Sequence, residues 1–183
     1  MRFSMTIPSA RRRGGAALVL ALLAACGGGG EQDEAASSTP LPAGITAVAA
    51  DARIPMPPPQ DPACQPASIR KVFREAAEWN GYWEFGLAAH CPRPQLPAGF
   101  DWARENIVWV TMGRRDSPAD SITVVGTGAV GDSVHVLVRR TSLQSSCGLP
   151  TQAAWPRDLV RVPAATQPAK FVEQQIKRPC PEG

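Results

Sequence analysis

An α+β domain, with one early helix packed on a mostly antiparallel β-sheet and preceded by an export signal and a disordered tether, is the fold class this sequence predicts. Three observations lead there. Ala76, Trp79, Trp83 and Leu87 recur at helical spacing. The apolar runs that follow are of strand length, and the short connections between them favour antiparallel neighbours. Before about residue 62 the chain is an arginine-led apolar segment followed by a stretch rich in Gly, Ala, Ser, Thr and Pro. The expected organisation is therefore a signal over 1–25, a tether over 26–62 and one folded domain over 63–183.

The opening segment sets the location. Arg11, Arg12 and Arg13 precede an unbroken apolar run, residues 16–25, in the charged-then-apolar order of an export signal. As a helix this run would rise only about 15 Å, roughly half of a bilayer core, so it is too short for a transmembrane anchor. Leu23-Ala24-Ala25-Cys26 closes it and resembles the lipobox of bacterial lipoproteins, in which small side chains admit the peptidase and the Cys thiol accepts a diacylglyceryl group. Cys26 then becomes an acylated N-terminus. Gly27, rather than Asp, follows it, and by resemblance to lipoprotein sorting in diderm bacteria this points to the outer membrane, facing the periplasm. The alternative is an ordinary secretory peptide cut after Ala25 that leaves Cys26 a free thiol.

Cysteine count and charge agree with that reading. Of five cysteines, lipidation of Cys26 leaves an even set, Cys64, Cys91, Cys147 and Cys180, for two disulfides in an oxidising compartment. None of the four has C-x-x-C spacing, which argues against a metal or redox site, and no cofactor is expected. Three connectivities are open. Cys64 with Cys180 and Cys91 with Cys147 is the favoured one, because the first pair would tie the ends of the domain. The net charge of +3 is misleading as a sign of nucleic-acid binding. Removing Arg2, Arg11, Arg12 and Arg13 with the signal takes 19 basic residues to 15 against 16 acidic ones, and no basic-patch argument for nucleic acid survives.

Residues 26–62 are poor in large apolar side chains. Glu31, Asp33 and Glu34 form a small acidic cluster and Pro57, Pro58 and Pro59 a proline run, the composition of a spacer with glycines near the lipid and stiffer prolines beyond. In the domain, residues 68–73 carry β-branched and aromatic side chains suited to a first strand. The helix follows at once, with Glu75, Glu78 and Glu84 for its solvent side and Trp79 and Trp83 for the core; Gly81 weakens it. Residues 106–112 are an apolar run that reads as a buried central strand. Residues 121–127 and 133–141 make a hairpin through the glycines of 128–132. In its second strand Val134, Val136 and Val138 face the core, and Ser133, His135 and Arg139 a wetter side. Residues 159–162 and 170–176 are further short strands.

No catalytic motif emerges. The domain's histidines, His90 and His135, sit in no recognisable constellation, and there is no phosphate loop or H-E-x-x-H. His90 reads as a residue at a helix end and His135 as a sheet histidine. A hydrolase assembled from distant groups, with His135 or Asp158 as testable members, is the alternative. Charge gathers in the loop 113–120, so Arg114, Arg115 and Asp116 are candidate partner-binding residues. Trp155, in a second loop, is a candidate aromatic anchor.

The order of these elements resembles the C-terminal domain of PrcB-type protease complex subunits. The resemblance rests on Glu78-Trp79 in the helix, Phe100-Asp101 before the strand 107–112, Gly113-Arg114-Arg115 at the turn, Ser121-Ile122-Thr123-Val124, the strand 134–138, and the stretch 151–163 before Phe171-Val172. It covers about residues 69–172. This chain departs from the pattern where Asp116 to Asp120 replaces a glycine- and tyrosine-containing turn, and where Arg157 replaces an aromatic after proline. The resemblance implies a non-catalytic accessory domain on an exported lipoprotein that binds or helps mature a protease. Inhibition of a protease through the loop 113–120 is the variant reading.

Overall fold

The computed structural model describes residues 40–57, 64, 67–85, 91–144, 147 and 152–180. The export signal, Cys26, Leu87 and His90 lie outside these residues. Seven strands and one helix follow in order: β1 Thr46–Ala47, β2 Ser68–Phe73, α1 Ala76–Phe85, β3 Glu105–Met112, β4 Ser121–Val130, β5 Ser133–Leu143, β6 Arg157–Pro163 and β7 Ala169–Arg178. The fold is α+β, with one helix and mostly antiparallel sheets.

Two sheets form, a four-stranded one in the order β1-β4-β5-β7 and a three-stranded one in the order β2-β3-β6. β3 explains their stacking. Its run 106–112 is buried throughout, because its alternate residues serve two different layers. Val108, Val110 and Met112 meet Ile122, Val124, Val136 and Val138 of the larger sheet, while Ile107 and Trp109 pack under α1 with Phe73, Trp79, Trp83 and Leu159. The order of layers is helix, three-stranded sheet, four-stranded sheet.

The aromatic stripe of α1 is core. Trp79 and Trp83 are buried, and Phe73 meets Trp79 edge-on at 5.1 Å, as Trp79 meets Trp83 at 5.5 Å, the arrangement that sets positive ring edges against negative faces. Glu78 turns back at the start of the helix and accepts a hydrogen bond from the Arg74 N–H at 2.9 Å, satisfying a donor that the helix cannot. Desolvation in this cluster pushes the Tyr82 hydroxyl pKa up.

The β4–β5 hairpin is tighter than its sequence suggested. The strands run on until Val130 opposes Ser133, leaving Gly131 and Asp132 as a two-residue turn with positive φ only at Gly131, the pattern of a type II′ turn. A bulge between Val124 and Gly126 shifts the register. β5 and β7 pair in parallel over ten residues, the exception to the antiparallel rule; β6, in the other sheet, lies between them in sequence and supplies the long connection that parallel pairing needs.

Two expectations are corrected. The tether does not extend to residue 62: β1 pairs with β4, the Ile54 N–H donates to the Leu159 carbonyl at 2.8 Å, and Ile54 is buried. Residues 40–57 thus form a strap across the edges of both sheets, held by backbone pairing and the few apolar side chains in that stretch. The disulfides join Cys64 to Cys91 and Cys147 to Cys180, because the strand order places each cysteine beside its sequence neighbour instead of bringing the domain ends together. Leu137, on the same face of β5 as His135 and Arg139, is buried, since the strap covers that face at Gly126, the residue opposite Leu137.

Candidate functional site

The loop 113–120 and the loop carrying Trp155 are distant in sequence and adjacent in the fold. β3 ends at Met112 and β6 begins at Arg157, and the two strands are antiparallel partners, so the chain leaving one meets the chain entering the other. Arg115 and Ala154 exchange both backbone hydrogen bonds at 2.8 Å, the Gln152 N–H donates to the Asp116 carbonyl at 3.2 Å, and the Met112 N–H donates to the Pro156 carbonyl at 3.0 Å. The two loops form one platform.

Within it the candidates play different parts. The Arg115 Nε donates to Asp120 Oδ2 at 2.7 Å, and the Asp120 side chain is nearly buried, so this arginine holds the loop in shape. Arg114 and Asp116 stand 69% and 73% exposed, 3.8 Å apart, too open for a pair worth more than about 1 kcal/mol and therefore free to exchange partners. Trp155 is half-buried beside them. Arg157, at the foot of the platform, turns inward and donates to the Pro57 carbonyl of the strap, and burial lowers its guanidinium pKa from the ordinary value. On the far side of the platform Cys147–Cys180 ties the chain after β5 to the end of β7, where the Gln144 N–H also reaches the Arg178 carbonyl at 3.0 Å.

His135 and Asp158 do not meet. His135 stands on the outer face of β5 opposite Gly128 and Lys170. Asp158 lies on β6 and accepts from the Val124 N–H at 2.8 Å and from Arg53 of the strap, which makes it a tie between strap and sheets. Among the described residues no three or more His, Cys, Asp or Glu side chains converge as a metal site requires, and no helix is long and apolar enough to cross a membrane.

A groove of about 710 Å³ opens at the opposite end of the sheets, between the strap at Thr46–Ala49, the end of β4 at 127–129 and the chain leaving β6 at 162–165. Small and apolar side chains line most of it, and the pair Arg161 to Glu105, at 3.3 Å, supplies charge. No local pattern marks this groove in the sequence, because its walls come from segments that carry no motif. No protein-family model matches this chain, and no curated protein or solved structure does.

Proposed function

We propose that the chain is a membrane-anchored, non-catalytic envelope lipoprotein whose domain acts as a binding or accessory subunit, with a protease as the partner that the PrcB-type resemblance implies. The acyl group on Cys26 would hold it to the membrane, with the outer membrane favoured by Gly27. The observation that carries the binding role is the platform: two loops locked by paired backbone bonds present Arg114, Asp116 and Trp155 together. A rigid base under two exposed charges and a half-buried aromatic side chain is how loops recognise a protein at low ordering cost.

The test is capture of an envelope partner by the acylated protein, compared with the variant Arg114→Ala/Asp116→Ala/Trp155→Ala. Loss of at least tenfold in affinity for the same partner is expected. Unaltered capture removes the platform from the interface. Arg115 is left in place because it holds Asp120. Turnover of the captured protease, measured alongside, separates a subunit that assists from one that inhibits.

A further inference from the structure

The outer face of the four-stranded sheet is chemically unlike the rest of the domain. Register places Arg139 between Thr123 and Gln174, Lys170 beside His135, and Arg178 beside Leu143 on this face. Among the described residues, β4, β5 and β7 place no carboxylate on it: the acid of β7, Glu173, is opposite Val138 and points inward to Arg70 and Arg140. Arg53, Arg70, Arg115, Arg140 and Arg161 each hold a carboxylate, whereas the side chains of Arg139, Lys170 and Arg178 hold none among the described residues. The Arg139 Nε is buried without any hydrogen-bond partner. Half-buried Val172 and Ile176 lie among these cations.

The strap reaches the same face. A side chain at Gly126, opposite Leu137, would meet Ile45 and Leu41, so the described chain starts here, at Pro40. Pro40 lies fourteen positions after Cys26, a reach of at most about 50 Å when fully extended. On the lipoprotein reading the chain therefore leads from a bilayer-embedded N-terminus to a face on which, among the described residues, three cations hold no carboxylate.

We infer that this outer face, through Arg139, Lys170 and Arg178, rests on the anionic phospholipid headgroups of the membrane that holds the anchor. The inference rests on the lipoprotein reading above. Each basic residue near an anionic leaflet contributes roughly fivefold to binding, so three contribute about a hundredfold. The tether raises the local concentration of that face at the bilayer, so a contact too weak to hold a free protein is enough to orient a tethered one. With this face down, the loop platform at the end of the sheet lies at the side of the domain, clear of the bilayer.

The experiment removes the anchor from the question. The processed chain, beginning at position 26 and carrying Cys26→Ser, is sedimented with phosphatidylglycerol-containing vesicles and with pure phosphatidylcholine vesicles. Binding to the anionic vesicles only, weakened by added salt and reduced about a hundredfold in Arg139→Gln/Lys170→Gln/Arg178→Gln, is expected. Equal binding to both vesicles, or anionic binding that the triple variant retains, overturns the inference, as does binding of polyglutamate without binding of vesicles. Arg114→Gln serves as a charge control and should leave sedimentation unchanged. A urea midpoint for each variant shows that a loss of binding is not a loss of fold. Acylation of Cys26, read separately from the fractionation of the wild-type chain, succeeds or fails independently of these outcomes.

Discussion

The two long sides of the sandwich are closed by different means. On the side where β4 and β6 form the edges, the strap lies across both sheets, and Asp158 fastens it by taking Arg53 and the Val124 N–H together. On the side where β2 and β7 form the edges, no segment among the described residues crosses. There Glu173 bridges Arg70 at 2.7 Å and Arg140 at 3.2 Å, at a side-chain exposure of about a third. One closure is a backbone-paired segment fastened over a largely covered carboxylate, and the other is an ion-pair network open to water. The first should resist salt and pH and fail all at once, whereas the second should weaken gradually.

The largest effect that separates them is expected at the largely covered Asp158 carboxylate. Asp158→Ala strands the Val124 N–H and frees Arg53, and should lower stability by about 2–3 kcal/mol in urea unfolding. Next comes the strap's fit. Gly128 lies so close that a Cβ would stand 1.8 Å from the Gly44 carbonyl oxygen; Gly128→Ala should cost about 2 kcal/mol by pushing the strap outward, and hydrogen exchange should quicken at Val48, whose N–H donates to the Val125 carbonyl. If both variants unfold like the wild type, the strap is not a structural closure.

The smallest effect belongs to the open side and depends on pH. Burial pushes the Glu173 carboxyl pKa up, but hydrogen bonds and charge from Arg70 and Arg140 more than reverse this and hold it below the ordinary 4.5. Because the folded value is the lower one, the stability it contributes is present above 4.5 and is lost as pH falls through the folded pKa. Glu173→Gln should therefore cost less than about 1 kcal/mol at neutral pH and flatten the acid limb of the stability profile. An acid limb unchanged in the variant would break the comparison.

What the sequence disclosed follows the range of the interactions. The α1 stripe at Trp79 and Trp83, the doubly buried β3 and the β4–β5 pair are written in local periodicity; Leu87 of the stripe lies outside the described residues, and the hairpin turn is shorter than the glycines of 128–132 suggest. The strap was hidden because Val48, Ile54 and Met56 are too sparse among prolines and alanines to show a period, and what holds them is backbone pairing to strands far along the chain. The parallel pairing of β5 with β7 and the disulfide partners depend on strand order, which no local pattern carries. For the candidate site, Arg114, Arg115, Asp116 and Trp155 could be picked out one loop at a time. Their union rests on Arg115 meeting Ala154, and the engagement of Arg115 with Asp120 rests on the burial of Asp120, neither of which a local pattern carries.

The strap also constrains when the domain can be finished. Arg53 and Asp158 are 105 residues apart, and β1 cannot pair before β4 exists. A chain delivered N-terminus first presents the strap at the outset and its docking strands near the end, and such non-local closure is slow. Over that interval Val48 and Ile54 have nothing to cover and the edges of β4 and β6 stay bare, which is the condition under which chains join one another instead of themselves. The closing step is thus the moment of greatest aggregation risk, and a holding chaperone that guards the first strand to arrive would do most to raise the yield of folded protein.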